Sequence, residues 1–401
     1  MEKAWFAGLP TPCYVIDEER LKKNGELLAG VSARTGCKIL LAQKAFSNYD
    51  CYPLLSQYLA GTEASGLYEA RLGAEEMPGK EVHVFCGAYR EEEFAELLRY
   101  ADHIVFNSVH QLAKFGSRAK EAGKSIGLRI NPECSTQEGH AIYDPCAPGS
   151  RLGVTRDVWN KEMTEELFGL LDGLHFHTLC EQDADALEIT LHAVEEKFGD
   201  VLSQMKWLNM GGGHHITKPG YDVEKLEQCI NYVKEKWQLE VYLEPGEAVA
   251  LNAGYLAARV LDVEENSGTK IAILDASAAC HMPDVIEMPY TPPLHDAVKA
   301  EDAEAAEPLE KSGRRQGYQY RYRLACPTCL AGDVIGDYYF KKELQEGDLL
   351  IFEDMAIYTT CKNNTFNGMP LPDIWKRTVD GKMIQLTGFG YEDFKYRLGS
   401  N

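Results

Sequence analysis

The sequence predicts an α/β chain with a (β/α)₈ barrel and a second, mainly antiparallel β domain of the sandwich or small-barrel type. Its 401 residues are enough for two domains of ordinary size. Up to about residue 246, eight short β-rich runs alternate with amphipathic segments, as in a parallel sheet with crossover helices. After residue 250, strand-like pieces follow one another with Gly, Pro and Asp turns between them, which indicates antiparallel pairing.

The eight runs are the predicted barrel strands: Lys38–Ala42, Thr62–Ser65, Val82–Phe85, His103–Phe106, Ile126–Ile130, Leu174–His177, Trp207–Met210 and Val241–Glu244. Apolar residues recur at helical spacing in two segments, one between the sixth and seventh runs and one between the seventh and eighth. They are Leu187, Leu191, Val194 and Phe198 in the first segment and Val223, Leu226, Ile230, Val233 and Trp237 in the second. Such spacing puts them near one face, so we expect helices that cover the sheet.

The second domain is expected to combine residues 1–24 with 251–401, and the barrel to occupy 25–250. The predicted strands of the second domain include Tyr255–Leu261, Lys270–Leu274, Gln319–Leu324 and Leu349–Phe352. Residues 297–317 are charged and nearly devoid of large apolar groups. We therefore expect this segment to be an exposed, mobile insertion.

The amino-acid composition limits the classes of partner that the protein could bind. Lys and Arg number 41 against 62 Asp and Glu, a formal charge of −21, which argues against nucleic acid or an anionic membrane and favours a cationic small molecule. We see no leader sequence and no long apolar run, so we expect a cytoplasmic protein with its twelve cysteines reduced. Cys326 and Cys329 form the one CxxC pair, and with no second pair we expect no metal.

Unusual residues follow several of the predicted strands, at the barrel edge where active sites lie. They are Lys44, His177, Gly211–Gly213 and Glu244–Gly246. Each alone has a structural explanation, but together they supply what pyridoxal phosphate needs. A lysine can hold the cofactor covalently, consecutive glycines let backbone N–H groups approach a phosphate, and a carboxylate can keep the pyridine nitrogen protonated.

Longer stretches around these residues carry a family resemblance: TPCYVIDEERL, LLAQKAFS, GLHFHTLCE, NMGGGHH, LEPGEA, HMPDVIEMPY, CPTCLAGD and FEDMAIYT. In this order they resemble the fold III, alanine racemase-like pyridoxal phosphate decarboxylases, and among them the branch acting on carboxynorspermidine and carboxyspermidine. The resemblance covers nearly the whole chain. It implies a carboxy-lyase of polyamine (spermidine) biosynthesis that uses pyridoxal 5'-phosphate and forms a homodimer with its active sites at the interface.

The resemblance also implies roles for individual residues. Lys44 would bind the cofactor covalently, His177 would stack on its ring, and Glu244 would pair with its pyridine nitrogen. Backbone contacts to the phosphate would come from a glycine-rich set, with a tyrosine hydroxyl and a nearby basic residue in support: Gly211, Gly212, Gly213, Gly246, Glu247, Tyr358 and Arg151. Cys329 of one subunit would protonate the substrate in the other.

The chain departs from the wider family at two places. Many relatives have EPGR where this chain has Glu247, which puts a side-chain contact to the phosphate in doubt. Leu330-Ala331 follows Cys329, where diaminopimelate and ornithine decarboxylases carry acidic groups for the substrate's far end. The resemblance and charge complementarity therefore suggest other substrate-binding residues: His281, Asp284, Glu287 and Asp333.

Two alternatives remain open at this stage. The chain could decarboxylate diaminopimelate, ornithine or arginine, or it could be a catalytically silent homologue that regulates polyamine levels. The presence of both Lys44 and Cys329 argues against the silent homologue. For His175, His214, His215 and Cys326 we expect packing or loop roles.

Overall fold

A computed structural model describes residues 3–137, 144–304 and 317–399 of the chain. Contacts divide the chain into two units. We call Lys22–Val249 the barrel unit, and Met1–Leu21 together with Ala250–Asn401 the sheet unit. The boundaries predicted from the sequence, 24/25 and 250/251, lie close to these divisions.

The strands are β1 Cys13–Asp17, β2 Lys38–Ala42, β3 Gly61–Ala64, β4 Glu81–Phe85, β5 His103–Phe106, β6 Ser125–Arg129, β7 Gly173–His175, β8 Trp207–Asn209, β9 Glu240–Leu243, β10 Gly254–Asn266, β11 Thr269–Leu274, β12 Ala297–Lys299, β13 Tyr320–Ala325, β14 Val334–Phe340, β15 Leu349–Glu353, β16 Asp373–Arg377 and β17 Met383–Thr387.

The helices are α1 Glu18–Thr35, α2 Tyr52–Leu55, α3 Leu67–Glu76, α4 Glu91–Tyr100, α5 Val109–Glu121, α6 Arg156–Glu162, α7 Glu165–Phe168, α8 Ala184–Leu202, α9 Val223–Trp237, α10 Glu247–Ala250, α11 Ala278–His281, α12 Asp284–Glu287, α13 Ala300–Glu304 and α14 Tyr391–Tyr396. In the part of the chain described, no helix is both long and apolar enough to cross a membrane.

Strands β2 to β9 pair in parallel in chain order, and β9 pairs with β2 to close the barrel. All eight predicted barrel strands are confirmed. The predicted helix faces are confirmed too: α8 buries its four apolar residues at the predicted spacing, and α9 buries Leu226, Ile230 and Val233. The side chain of Asp222 caps α9 by accepting a hydrogen bond from the Lys225 N–H at 2.9 Å.

The barrel interior is filled by side chains. Trp207 occupies its middle, and two glycines on neighbouring strands make room for it: a Cβ added at Gly173 would lie 2.0 Å from the indole, and one at Gly127 would lie 2.4 Å from it. Leu40, Val105 and Tyr242 pack around the same indole. The barrel is thus a packed core whose C-terminal edge is left for chemistry.

The sheet unit is a nine-stranded mixed sheet. Its order is β12-β14-β13-β11-β10-β1-β16-β17, and β15 pairs with β10. Most pairings are antiparallel as predicted, but β1 with β16 and β11 with β13 run parallel. The N-terminal strand β1 therefore belongs to this sheet, as expected.

The predicted exposed insertion is wrong for residues 297–304. These residues form β12 and α13, and Ala300 and Ala303 are buried against Tyr339. Alanine lacks a large apolar side chain but still fits against an aromatic ring, which composition alone does not reveal. Residues 305–316 of the predicted segment lie outside the described residues.

Candidate active site

Lys44 lies two residues beyond β2, in a turn at the C-terminal edge of the barrel. The preceding residue, Gln43, is fully buried and anchors this turn. Its backbone N–H donates to the Glu63 carbonyl at 3.1 Å, and its side-chain amide donates to the Glu69 carbonyl at 2.9 Å. The half-buried Lys44 is therefore presented from a rigid turn.

Glu244 directly follows β9 and places a buried carboxylate at the same edge; the residue is 5% exposed. His175 Nε2 lies 3.0 Å from one carboxylate oxygen, and Asn209 Nδ2 donates to the other at 2.5 Å. Burial raises the pKa of Glu244, but His175 and Asn209 outweigh it and hold that pKa at about 2. Glu244 is therefore an ionised carboxylate in a buried site.

Glu63, the third residue of β3, was not predicted from the sequence. It is 3% exposed, and its Oε2 has no hydrogen-bond partner among the residues described. Burial and the negative charge of Glu244 raise its pKa to about 8, although Lys44 opposes the shift. The site thus contains two carboxyl groups, of which Glu244 is ionised and Glu63 is protonated near neutral pH.

His177 lies just beyond β7 and is tied to the glycine-rich loop. The Gly212 N–H donates to its Nδ1 at 2.8 Å. Burial, followed by the charges of Lys44 and Arg129, lowers the pKa of His177 well below its usual range. The imidazole is therefore neutral with its proton on Nε2.

The glycines have a steric reason besides any phosphate contact. Gly211 and Gly213 adopt left-handed backbone conformations with φ of 69° and 81°. A Cβ on Gly212 would lie 2.4 Å from the Glu244 carbonyl oxygen, and one on Gly246 would lie 2.6 Å from Ala45 Cβ. Backbone segments thus pack closely here, and the Gly211 N–H donates to Asn209 Oδ1 at 2.9 Å.

Arg129, at the end of β6, is a buried cation that the sequence did not reveal. Its guanidinium donates to the His177 carbonyl at 2.9 Å and lies 4.6 Å from the centre of the Phe85 ring. The predicted basic residue, Arg151, has an exposed side chain. Its charge still contributes to lowering the pKa of Arg129, so it lies near this edge and its cofactor role stays a prediction.

Two predicted substrate residues, Asp333 and His281, are held by hydrogen bonds within the sheet unit. Asp333 is 2% exposed and its carboxylate accepts hydrogen bonds from Ser277, Thr328 and the Ala279 N–H. His281 is fully buried, with Nδ1 accepting from the Ser277 N–H at 3.1 Å and Nε2 3.1 Å from the Pro370 carbonyl. Both side chains thus have hydrogen-bond partners within the sheet unit, and their predicted substrate contacts stay predictions.

The other predicted acids, Asp284 and Glu287, lie on α12 and share one partner. The ammonium of Lys362 contacts both carboxylates. The pair therefore binds one ammonium group already, which is the chemistry predicted for it, but the ammonium belongs to the protein.

Cys329 is an exposed thiol in the sheet unit, and its backbone N–H donates to Asn367 Oδ1 at 3.0 Å. Cys326 is more enclosed, with its sulfur accepting from the Ala278 N–H at 3.3 Å, in line with the packing role expected of it.

Glu247, at the start of α10, and Tyr358, which has a φ of 49°, are both partly exposed. Their predicted phosphate contacts stay predictions.

His175 packs in the barrel at 1% exposure, as expected, and it also contacts Glu244. His214 does have a structural partner, because its Nε2 lies 3.2 Å from the Met210 carbonyl. His215 is partly buried, and both its ring nitrogens lack hydrogen-bond partners in the described part of the chain.

At the opposite end of the barrel interior, Glu81, His83 and His103 place metal-type donor atoms within 4.8 Å of one another. The two imidazoles stack face to face, with centroids 3.9 Å apart and planes 9° apart. Imidazole lone pairs lie in the ring plane, so two stacked rings do not direct them at a common ion. Lys38 also contacts Glu81 at 2.6 Å. These residues therefore form a polar cluster, held by ring stacking and an ion pair, rather than a metal-binding site.

Residues 13–356 match the family model described as pyridoxal-dependent decarboxylase, C-terminal sheet domain. The chain is 43% identical over 394 residues to the carboxynorspermidine/carboxyspermidine decarboxylase of Campylobacter jejuni, covering 98% of this chain and 100% of the relative. It is 39% identical over 400 residues to the carboxyaminopropylagmatine decarboxylase of Synechocystis, covering 100% and 98%. A crystal structure of the Campylobacter jejuni carboxynorspermidine decarboxylase with norspermidine is also similar, with a TM-score of 0.87 and 42% identity over 97% of this chain and 100% of that one.

Replacing Glu63 by Gln should stabilise the ligand-free protein increasingly as the pH rises from 5 to 8.5. The folded-state pKa of Glu63, about 8, lies above the ordinary value of 4.5 for a glutamate. The unfolded chain therefore loses this proton first, and wild-type stability falls across that window while the Gln variant avoids the loss. We expect about 1–3 kcal/mol at pH 8.5, measured by urea unfolding.

Glu81→Gln serves as the control of opposite sign. The pKa of Glu81 is held at about 2, since His83 and Lys38 outweigh the effect of burial. This variant should lose stability at neutral pH, and the difference from wild type should shrink as the pH falls through 4.5 towards 2. A pH-independent effect of Glu63→Gln would contradict the protonation assigned to Glu63.

Proposed function

This chain belongs to the pyridoxal-dependent decarboxylase family, and we propose that it converts carboxynorspermidine or carboxyspermidine into norspermidine or spermidine with release of carbon dioxide. The observation that carries the proposal is a 43% identity spanning 98% of the chain and the whole of a relative named for these substrates. The two substrates differ by one methylene, a difference that a pocket distinguishes by only about 1–3 kcal/mol.

The residues of the barrel edge fit pyridoxal phosphate. A buried, ionised Glu244 is what a protonated ring nitrogen requires, and the neutral His177 has a flat ring with its Nδ1 tied to the glycine loop. The N–H groups of Gly211 and Gly212 already donate to Asn209 Oδ1 and His177 Nδ1, so the proposed backbone contacts to a phosphate would come from Gly213 and Gly246. Lys44 emerges from the same edge as the amine that would hold the cofactor.

When bound, pyridoxal phosphate supplies an acceptor for the electron pair that the substrate's α-carbon retains as carbon dioxide leaves. The roles of the protein follow from its charges. Glu244 stabilises positive charge on the ring nitrogen, and the buried walls around it exclude water, which strengthens that interaction. Glu63 carries a proton near neutral pH, so its carboxyl adds no negative charge at the barrel edge from which Lys44 emerges. We assign Cys329 of a partner subunit to deliver a proton to the α-carbon.

The far end of the substrate carries ammonium groups, for which Asp284 and Glu287 remain the proposed partners. Because Lys362 contacts both carboxylates, a substrate ammonium would have to replace that lysine. The formal charge of −21 favours the approach of such a cation.

A second candidate substrate is carboxyaminopropylagmatine, which a relative of 39% identity acts on by name. Its far end is a guanidinium rather than an ammonium, and carboxylates bind either group. Diaminopimelate, ornithine and arginine are weaker alternatives because Leu330 and Ala331 supply no acidic group next to Cys329.

We also propose that the protein is a cytoplasmic homodimer whose partner subunits share each active site. All twelve cysteines are free thiols, as in a reducing compartment. Cys329 is exposed, and two exposed apolar residues lie near it. Leu330, the next residue in the chain, is 45% exposed, and Phe366, which precedes the Asn367 that Cys329 contacts, is 48% exposed. A second copy that covered these groups would bury both the thiol and its apolar neighbours.

Replacing Lys44 by Ala should abolish the visible absorbance of the bound cofactor, because no other amine would hold it covalently, and should abolish decarboxylation. The measurement is an absorbance spectrum after reconstitution with pyridoxal phosphate. Lys161→Ala, an exposed lysine on α6, is the matched control and should retain both. An unchanged spectrum in the Lys44 variant would refute the assignment.

Replacing Cys329 by Ala should leave cofactor absorbance intact but lower turnover by roughly 10²-fold or more, since the proton donor is removed. Exposed Cys361 provides the control, and Cys361→Ala should turn over at the wild-type rate. Mixing the inactive Lys44→Ala and Cys329→Ala proteins should restore about a quarter of wild-type activity, because half of randomly formed dimers contain one intact site. No recovery in mixtures proven to exchange subunits would exclude a shared site.

A substrate panel tests the proposed reaction itself. Carboxynorspermidine, carboxyspermidine, carboxyaminopropylagmatine, diaminopimelate, ornithine and arginine are each incubated with the reconstituted enzyme, and carbon dioxide and the product amine are quantified. We expect the highest kcat/KM on one of the first two compounds. Highest activity on diaminopimelate, or none on any compound with the cofactor bound, would overturn the proposal.

A further inference from the structure

We propose that His175 is a positioning residue that orients Glu244 and keeps it ionised, through a hydrogen bond from its Nε2–H. The inference rests on the proposed function, because it concerns the carboxylate assigned to the cofactor's ring nitrogen. It assigns a role to a side chain for which packing alone was expected.

The two oxygens of Glu244 each have one protein partner. His175 Nε2 lies 3.0 Å from Oε2, and Asn209 Nδ2 lies 2.5 Å from Oε1. An ionised carboxylate can accept about four hydrogen bonds. The two partners thus fix the plane of the carboxylate and still leave acceptor capacity for a third group, such as a protonated ring nitrogen.

The hydrogen-bond pattern sets the tautomer of His175. Since a carboxylate can only accept, Nε2 must carry the proton, and Nδ1 must be bare if the ring is neutral. Nδ1 is buried and finds no partner within the described ranges, and the residue is 1% exposed. Burial is the main cause that lowers the pKa of His175, and the positive charges of Arg129 and Lys44 lower it further. The contact with Glu244 raises this pKa but does not outweigh them. In either protonation state Nε2 carries a proton toward Glu244, so His175 donates to this carboxylate, and any positive charge on the ring adds to the same effect.

The His175 ring packs against Phe85, which in turn contacts Arg129. Phe85 stacks on it with centroids 5.4 Å apart and planes 20° apart, and the Arg129 guanidinium lies 4.6 Å from the centre of the Phe85 ring. Register pairs Arg129 with His175 on β6 and β7, and His175 with Asn209 on β7 and β8. The donor that aims Glu244 therefore comes from the rigid barrel rather than from a loop.

This arrangement separates the two histidines of the His175-Phe176-His177 segment. His177 receives its hydrogen bond from the Gly212 backbone, so its position follows the glycine loop. His175 acts through Glu244 alone. Loss of His175 should therefore disturb the ring nitrogen while leaving the contact between Gly212 and His177 intact.

The test compares His175→Gln with His175→Met. These two side chains are similar in size, but only Gln can donate a hydrogen bond to Glu244. We expect the Met variant to lose about 10- to 100-fold in kcat with little change in KM. Its bound cofactor, reconstituted with ¹⁵N-labelled pyridoxal phosphate, should show a ring-nitrogen shift moved towards the unprotonated form. The Gln variant should recover most of both properties.

His103→Gln controls for packing, because it removes a stacked histidine from the opposite end of the barrel. It should lower the melting temperature without moving the ring-nitrogen shift. The proposal is overturned if His175→Met keeps the wild-type ring-nitrogen shift and kcat, whatever its melting temperature. It is equally overturned if the Gln variant, although folded, is as defective as the Met variant.

The ring-nitrogen measurement also separates this inference from the proposed function. If the wild-type protein binds the cofactor but decarboxylates no compound of the panel, the proposed substrate fails while the shift comparison still decides the role of His175. If the wild-type protein binds no cofactor, the proposed function itself fails.

Discussion

A charged carboxylate buried at the end of a barrel strand is the constraint on which the rest of the barrel edge depends. Taking Glu244 out of water is costly, and a buried charge persists only where hydrogen bonds replace the lost solvent. His175 and Asn209 supply those bonds, one to each oxygen. Once Glu244 is ionised, its negative charge helps to hold Glu63 in its protonated form, since two adjacent buried carboxylates repel each other. The acid chemistry of the site therefore follows from which of two carboxyl groups is hydrogen-bonded.

The barrel core supports this arrangement by keeping the strand ends in place. Trp207 fills the middle of the interior against Gly127 and Gly173, so the strands approach without a void. Below it, His83 and His103 stack while Lys38 and Glu81 pair. Above it lie Phe85, Arg129 and the site acids. Polar residues thus occur at both ends of an apolar middle layer, and those at the C-terminal end include Lys44 and the buried carboxylate of Glu244.

The sheet unit uses acidic residues differently. Asp333 accepts hydrogen bonds from Ser277, Thr328 and a backbone N–H, so it ties the loop after Cys326 to the residues around α11. Asp284 and Glu287 instead share the Lys362 ammonium. The sequence suggested the same substrate role for all three acids, yet Asp333 accepts structural hydrogen bonds whereas Asp284 and Glu287 bind the Lys362 cation. The difference lies in the kind of donor: hydroxyl and backbone N–H groups surround Asp333, whereas one ammonium bridges Asp284 and Glu287.

The sequence by itself determined the strand order, the covering faces of α8 and α9, and the positions of Lys44, His177 and Glu244 at strand ends. These features depend on local periodicity and on motifs read along a continuous stretch of chain. Only the tertiary structure decided the protonation of Glu63, the partnership of His175 with Glu244, the burial of Arg129 and the hydrogen bonds that hold Asp333 and His281 within the sheet unit. The physical reason is that desolvation, charge and hydrogen-bond partners come from neighbours on other strands, and residues distant in the chain become neighbours only when the barrel and the sheet close.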